Sequence, residues 1–335
     1  MATSSDDRKK GNTWVILAMG AGLSYGLGNV SYGQNCSQLG FWGTGFTGPV
    51  TLIIVVAYRL YQACRLKKET GSFVDKSNSN FWRLKEPSTE RATTTEQDGI
   101  NSGLENDDYQ TAASVTMTQE SQPIYEFRWE NLRQCAIYQA LPSQVALVLV
   151  SFAFKFALLA EINQGTVPSL FTAGSFYTSI VFYFTFKEVI SLSKIIGICF
   201  MVPCVVLISL DPKEGQVSDS GLTSSEMHRY NMYAILMAIS APILWTFKSY
   251  CARSAFNNKE YVPIDLSLDQ LFFSGLLATI VFVIFALTHD YATHILVEGS
   301  IAGLLFTLGS FCTMSAIARG PGGPINSLIC TQIIY

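Results

Sequence analysis

Long apolar runs of about twenty residues recur along this chain, and short polar stretches separate them. Three runs follow one another almost without interruption, at 142–160, 167–186 and 189–210. Each has about the length that a helix needs to cross ~30 Å of hydrocarbon. The connections, 161–166 and 187–188, leave no room for a soluble layer. The three runs are therefore predicted to fold as antiparallel membrane helices.

Further runs extend this pattern over the whole chain. Two precede the central three and three follow them, at 14–30, 41–61, 230–250, 271–287 and 301–317. A ninth run opens at Pro324 and stops at Tyr335, which is too short to span a bilayer. We therefore expect an all-α membrane protein with eight complete spans, and a sequence that lacks the rest of the ninth.

The polar segments divide the chain into regions. Residues 1–13 form a polar tail, and 211–229 form a polar connection between the fifth and sixth spans. The segment 66–132 is rich in Ser, Thr, Asp and Glu and has no helical or strand period. It is predicted to be a disordered loop, because it cannot bury enough apolar surface to offset the entropy of an ordered chain.

Charge predicts the orientation. The chain is 49% hydrophobic and only 14% charged, and its net charge of −3 argues against a nucleic-acid partner. If the N-terminus is cytoplasmic, 18 of the 22 Lys and Arg residues lie on the inner side. The positive-inside rule therefore predicts a cytoplasmic N-terminus and an integral membrane protein, in either the plasma membrane or an endomembrane.

A weak internal repeat accompanies these spans. When the chain is shifted by 158 residues, four positions coincide: Ala160 with Ala318, Gly165 with Gly323, Ser169 with Ser327, and Leu170 with Leu328. Each copy covers the end of one span, a turn and the start of the next. Five spans separate equivalent positions, and this odd number gives the copies opposite orientations. The prediction is an inverted repeat, with a first five-helix unit at 14–210 and an incomplete second unit at 230–335.

One stretch carries a family resemblance. The run SLFTAGSFYTSIVFYFTFKEVISLSKIIGICFMVPCVVLISL resembles helices four and five of the drug/metabolite transporter superfamily, which has the EamA-like fold. In that family helix four ends at a Glu, and an aliphatic-Ser pair, a polar or basic residue and a Gly follow. The matching residues are Glu188, Ile190, Ser191, Lys194 and Gly197. The run ARGPGGPINSL resembles the junction of helices eight and nine.

The resemblance implies a ten-helix bundle of two inverted five-helix repeats, with both termini cytoplasmic. It also implies transport of small solutes, in a superfamily that handles nucleotide sugars, sugars, amino acids, drugs and organophosphates. The chain departs from the family in the length of 66–132 and in ending within the ninth span.

Lys155 is the leading candidate for the substrate site. It lies 13 residues into the 142–160 span, where an ionisable group costs ~2.5 to 3.5 kcal/mol and usually faces a cavity or a partner. A counter-charge for an anionic solute and a snorkelling or structural lysine are equally weighted alternatives. Lys248 is interpreted as snorkelling, because it lies two residues before the end of its predicted span.

Other candidates are uncharged. The first span contains four glycines, which favour close helix packing, or else a broken helix that lines a cavity. In the second case its polar contacts would be Tyr25 and Asn29. The residues predicted to line the same cavity from other spans are Ser175, Tyr177, Thr178 and Trp245. Glu188 is assigned a structural role near the start of the fifth span, where the helix dipole favours an anion.

Three classes of function compete: a secondary transporter, a receptor or interaction protein, and a channel, for which neither a ring of pore-lining charge nor a filter sequence is apparent. The sequence contains no HExxH or GxSxG motif and no CxxC spacing among its eight cysteines, so we expect no enzyme, metal or cofactor. A secondary transporter of small polar metabolites is favoured by the inverted repeat. The alternative is a receptor or interaction protein that works through the acidic loop 66–132. The expected partners are a small solute and the lipid bilayer, and a homodimer stays open.

Overall fold

The computed structural model describes residues 13–70, 82–84, 125–162, 165–188, 196, 200, 203, 223–258 and 261–329. Most of the predicted fifth span, most of the connection 211–229 and the motif residues Ser191, Lys194 and Gly197 lie outside the described residues.

Helices make up nearly all of the described chain. In chain order they are α1 (Thr13–Leu39), a 3₁₀ segment (Gly40–Thr47), α2 (Gly48–Thr70), α3 (Trp129–Cys135), a π-helical turn (Ala136–Ala140), α4 (Leu141–Leu159), α5 (Thr166–Leu170), α6 (Ala173–Phe186), α7 (Ser224–Asn257), α8 (Pro263–Thr288), α9 (Thr293–Arg319) and α10 (Gly322–Ile329). Two short antiparallel strands, β1 (Trp82–Leu84) and β2 (Tyr125–Phe127), pair with each other within the segment between α2 and α3.

Five continuous helical stretches are long and apolar enough to cross a membrane: Thr13–Glu69, Trp129–Leu159, Ser225–Asn257, Pro263–Thr288 and Thr293–Arg319. Large apolar side chains point outward from them, and Ile16, Ile53 and Ile243 are 72%, 66% and 53% exposed. A continuous apolar exterior of this kind would aggregate in water and is stable in lipid. These features are those of an all-α integral membrane protein.

The first stretch contains two antiparallel helices. The reversal begins at Gly40, whose φ of +60° is one that residues with a Cβ rarely adopt. Along α1, Gly28 packs against Phe306 and Asn35 against Gly299, so α1 is antiparallel to α9. Along α2, Thr47 contacts Gly303 and Thr51 hydrogen-bonds to Thr307, so α2 is parallel to α9. The first two predicted spans are therefore separate transmembrane helices.

Several helices extend beyond the predicted apolar runs. The α7 helix begins at Ser224, where Thr223 and Glu226 form a capping box. It continues to Asn257, because polar residues prolong the helix beyond the apolar run. The predicted disordered loop 66–132 includes residues that are ordered in the structure. Its first residues continue α2 to Thr70, and its last residues begin α3. The strands β1 and β2 lie between them, and residues 71–81 and 85–124 are outside the described residues.

The helices pack in a small set of pairs. α1 lies along α9, and α4 lies along α7. α2 packs on α8, α10 packs on both α1 and α6, and α6 packs on α7. α1 also touches α4, and α7 also touches α9. The end of the bundle that holds Thr13, Thr70 and Asn257 is called the predicted cytoplasmic end below, and the end that holds Leu39 and Leu159 the predicted outer end.

The α2–α8 contact depends on a glycine. A Cβ on Gly48 would lie 2.6 Å from the carbonyl carbon of Ala278 and 2.8 Å from its Cβ, closer than real atoms approach. Small residues of this kind let membrane helices come into close contact. The two backbones therefore touch at Gly48.

Gly48→Ala is expected to force α2 away from α8 and to destabilise the protein by roughly 1–3 kcal/mol, as overpacking does. The melting temperature of the purified protein should fall. Gly20→Ala is the matched control, because its Cβ would meet Cys312 Sγ at an ordinary 3.8 Å. Equal melting temperatures for the two variants would contradict the close contact at Gly48.

Candidate functional site

A central cavity of about 160 Å³ lies between the helices. Its walls come from α1, α2, α4, α7, α8, α9 and α10 and from the α5–α6 junction. The polar lining residues are Tyr25, Asn29, Thr47, Thr51, Ser143, Gln144, Thr246, Lys248, Ser249, Gln270, Ser274, Thr307, Ser310, Thr313 and Asn326. The aromatic ones besides Tyr25 are Phe171, Trp245 and Phe306. The cavity therefore combines many hydroxyl and amide groups with aromatic surfaces.

Helical periodicity explains how each helix contributes. On α7 the wall residues Pro242, Trp245, Thr246 and Ser249 recur at the three- and four-residue spacing of one helix face. The same spacing holds on α8 from Gln270 through Ser274 to Ala278. The polar residues on these faces are buried because they face neighbouring helices and the cavity, while the opposite faces carry exposed apolar residues.

Hydrogen bonds between helices fix the positions of the wall residues. Thr307 Oγ1 donates to Thr51 Oγ1 at 3.1 Å, which ties α9 to α2. Gln144 Nε2 donates to the Ser274 carbonyl at 3.0 Å, which ties α4 to α8. Thr313 Oγ1 donates to the Tyr25 hydroxyl at 3.4 Å. These hydrogen bonds hold Thr51, Gln144 and Tyr25 in place in the wall.

Lys248 carries the only formal charge among the lining residues. It lies nine residues before the end of α7, which is roughly 13 Å along the helix. Ala241 and Ala252, seven residues before it and four after it on the same helix row, are fully buried. The buried amide of Gln139 donates to the Lys248 carbonyl at 3.1 Å. Lys248 therefore faces the bundle interior, and its interpretation as a snorkelling residue is corrected.

Three of the predicted cavity residues lie in the wall of this cavity. They are Tyr25 and Asn29 on α1 and Trp245 on α7. Trp245 packs edge-on against Phe171, with 5.3 Å between ring centroids. Tyr25 packs against Phe306 at 6.0 Å. These three residues therefore line one cavity, and α1 is unbroken at Tyr25 and Asn29.

The three predicted residues of α6 lie outside the wall. Ser175 Oγ donates to the Thr172 carbonyl within its own chain segment at 2.8 Å. Thr178 lies behind the wall, 3.0 Å from Thr246 Oγ1, and accepts a hydrogen bond from Asn326. Tyr177 lines a shallow apolar groove between α6 and α7. Of these residues only Thr178 reaches the site, and it does so through its hydrogen bonds to Thr246 and Asn326.

Lys155 also lies outside the wall. Its ammonium donates to the Gln38 carbonyl at 3.1 Å, at the predicted outer end of the bundle. Val150, the last α4 residue of the wall, lies five residues earlier. The placement does not fit the prediction of a substrate contact at mid-membrane, and it fits the alternative of a structural lysine near the helix end.

Two ionic clusters lie at the predicted cytoplasmic end. In the first, Arg59 of α2 pairs with Asp265 at 3.0 Å and also with Asp269 on α8. Tyr261 donates to the second carboxylate oxygen of Asp269 at 3.3 Å. The side chain of Asp269 is 8% exposed, and Asp269 immediately precedes the wall residue Gln270. This cluster therefore closes the α2–α8 contact directly beside the cavity.

The second cluster joins three helices. Arg253 of α7 lies 3.6 Å from Glu188, at the end of α6. Its guanidinium also donates to the carbonyls of Ile317 and Gly320 at the end of α9. Glu188 therefore lies in an ion pair with Arg253. The predicted contact of Glu188 with the helix dipole of the fifth span falls on residues that are mostly outside the described part of the chain. Gly165 precedes α5 and Gly323 lies in the first turn of α10, so both repeat glycines mark helix starts.

The sequence missed several lining residues, namely Gln144, Gln270, Ser274, Thr307 and Asn326. Polar residues are scattered through every apolar run, and nothing in the spacing separates those that face a cavity from those that bond within their own helix. The position of Lys248 within a long apolar run already indicates that its side chain faces the bundle interior. Among the described residues no group of His, Cys, Asp and Glu is arranged to hold a metal ion.

The geometry defines a helical membrane protein with a central cavity whose wall combines polar groups with a larger apolar surface. Comparisons with family models, with curated proteins and with solved structures give no match to this chain. The resemblance to the drug/metabolite transporters therefore stays a prediction.

Proposed function

We propose that the protein is a secondary transporter that moves small polar metabolites across a membrane by alternating access. The observation that carries the proposal is the central cavity, which is lined by hydroxyl and amide groups and lies among helices of both predicted halves of the chain. Secondary transporters with inverted repeats bind their substrates at such a repeat interface.

The packing pairs support an inverted repeat. Under the predicted repeat, α1 corresponds to α7, α2 to α8, α4 to α9, and α5–α6 to α10. Exchanging each helix for its counterpart converts the α1–α9 pair into α7–α4, α1–α10 into α7–α6, and α1–α4 into α7–α9, all of which are present. The α2–α8 and α6–α10 pairs map onto themselves. The α8–α9 pair has no α2–α4 counterpart of comparable size among the described contacts. The contacts run α1 opposite to α7, α2 opposite to α8 and α4 opposite to α9, which supports the proposed inverted repeat.

The wall also argues for solutes and against ions. Among the described residues no Asp or Glu lines the cavity, so the described wall offers no carboxylate for Na⁺ or for proton coupling. A wall of hydroxyl and amide groups set in apolar surface suits exchange or facilitated passage of a polar solute. The receptor alternative rests on the loop 66–132, most of which lies outside the described residues.

Uptake into proteoliposomes tests the proposal. Full-length protein is reconstituted and offered radiolabelled nucleotide sugars, hexoses and organic anions. We expect at least one solute class to accumulate above protein-free vesicles and to exchange with unlabelled solute inside. Absence of uptake and exchange across the panel would contradict transport and favour the receptor.

A matched pair of variants ties uptake to the cavity. Ser249 lies in the cavity wall and is 8% exposed. Ser249→Trp should abolish uptake, because the indole would fill the cavity. Phe247→Trp places the same side chain two residues away on the outward face, where Phe247 is 42% exposed, and should preserve it. Wild-type uptake by a folded Ser249→Trp variant would show that the solute takes another path.

A further inference from the structure

We propose that the cavity selects small hydroxylated organic anions, and that Lys248 is the residue that binds their negative charge. This inference rests on the proposed transport function and names its substrate class. The predicted anion site at Lys155 is thereby replaced by a residue on a different helix, in the wall of the cavity.

Lys248 is the charged residue of the described wall. It lies on the buried row of α7 with Ala241 and Ala252, and the described residues provide it with no ion pair. No Asp or Glu lies in the described part of the wall. An uncompensated ammonium inside a bundle is costly, and the cost falls when an anion occupies the cavity. The cavity is therefore complementary to a negative charge.

Some buried polar atoms of the cavity wall have no hydrogen-bond partner among the described residues. Among the described residues, Gln270 Oε1 and Ser310 Oγ are buried and make no hydrogen bond. Both residues belong to the cavity wall, and Gln270 is 1% exposed. Buried polar atoms of this kind are normally satisfied by a partner, so the wall offers sites for the hydroxyl groups of a bound solute.

Size limits the solute. An engineered apolar cavity of ~150 Å³ holds benzene, so the central cavity of about 160 Å³ suits a solute of similar bulk in this conformation. Trp245 and Phe306 add apolar surface beside the polar groups. Glycerate and glycerol 3-phosphate have the required size, hydroxyl groups and negative charge, and glycerol is their neutral counterpart.

The test uses three variants of the full-length protein in detergent. Lys248→Gln removes the charge, Lys248→Arg retains it, and Lys155→Gln removes the charge of the lysine that binds the Gln38 carbonyl outside the cavity. Melting temperatures are measured against millimolar glycerate, glycerol 3-phosphate and glycerol at constant ionic strength. Half-saturating concentrations are read from the titrations.

We expect at least one anion to stabilise the wild type, Lys248→Arg and Lys155→Gln, while glycerol has no effect. Lys248→Gln should bind that anion about tenfold or more weakly, because a charge-assisted hydrogen bond is lost. Three results would overturn the inference: unchanged anion affinity in Lys248→Gln, equal stabilisation by glycerol, or no stabilisation of the wild type by either anion.

Uptake of the same three solutes separates this inference from the proposed function. Vesicles that take up glycerol but neither anion would be consistent with the proposed transport and would refute the anion selectivity. Anions that bind through Lys248 without crossing the membrane would support the binding site and contradict transport.

Discussion

Replacing Arg59 with glutamine is expected to open the predicted cytoplasmic end of the bundle. Arg59 binds Asp265 and Asp269 and so holds α2 against α8 next to the wall residue Gln270. Without Arg59, the buried carboxylate of Asp269 keeps the Tyr261 hydroxyl as a donor but loses its counter-charge. Breaking a buried pair costs ~3–5 kcal/mol, and the partial exposure of Arg59 lowers the cost here to roughly 1–3 kcal/mol.

In an alternating-access transporter this loss should shift the population toward a state open to the cytoplasm. A shift of 1.4 kcal/mol changes the ratio of two states about tenfold. The cluster therefore acts as an inner gate under this hypothesis, and its removal has a large expected effect on solvent access.

Cys135 is a built-in reporter of that opening. It is fully buried and packs with Tyr261 beside the cluster. We expect a membrane-impermeant maleimide, added from the cytoplasmic side, to label Cys135 at least about tenfold faster in Arg59→Gln than in the wild type. Mass spectrometry of the Cys135 peptide gives the rate, and prior replacement of the exposed Cys64 by serine removes the main competing thiol.

Two controls separate gating from unfolding. Arg65→Gln removes the exposed Arg65–Glu69 pair from the same helix and should leave labelling unchanged. Cys36, fully buried on α1 near the predicted outer end, should remain unlabelled in all variants, since its labelling would indicate unfolding. Unchanged Cys135 labelling in a folded Arg59→Gln variant would identify the cluster as static.

The sequence predicts where the chain is helical better than where each helix ends. Apolar runs located α1, α4, α7, α8 and α9, because lipid-facing residues dominate those segments. Several of these helices extend beyond their apolar runs through polar residues, which continue the backbone hydrogen bonds. A hydropathy pattern does not distinguish these helical polar residues from a loop. The carboxylates Asp265 and Asp269 thus fall inside α8, although the predicted span began at 271.

The predicted depths of the two lysines were affected in the same way. The apolar runs predict the depth of a residue in the membrane from its distance to the ends of its run. By this measure Lys155 lies deep and Lys248 lies near the end of its span. In the structure α7 continues nine residues past Lys248, whereas Lys155 is four residues from the end of α4. Which lysine faces the interior also depends on which helix faces pack together, and that is a property of the whole bundle.

Removing the second ionic cluster is expected to lower the yield of folded protein. Arg253 holds the end of α7 to Glu188 and to two carbonyls at the end of α9, and the side chains of Arg253 and Glu188 are only 20% and 16% exposed. Arg253→Gln should be more harmful than Glu188→Gln, because it loses the carbonyl contacts as well as the ion pair. Leaving one partner of a poorly exposed pair unpaired costs roughly 2–4 kcal/mol for Arg253 and about half that for Glu188.

The measurement is the monodisperse fraction after solubilisation, together with the melting temperature of each variant. Arg229→Gln is the matched control, since Arg229 is exposed at the opposite end of the same helix. The double variant should be less destabilised than the sum of the single ones, because both remove the same interaction. If Glu188→Gln folds with the wild-type yield and melting temperature but loses uptake, then Glu188 acts on the transported solute or on gating, and its structural role is refuted.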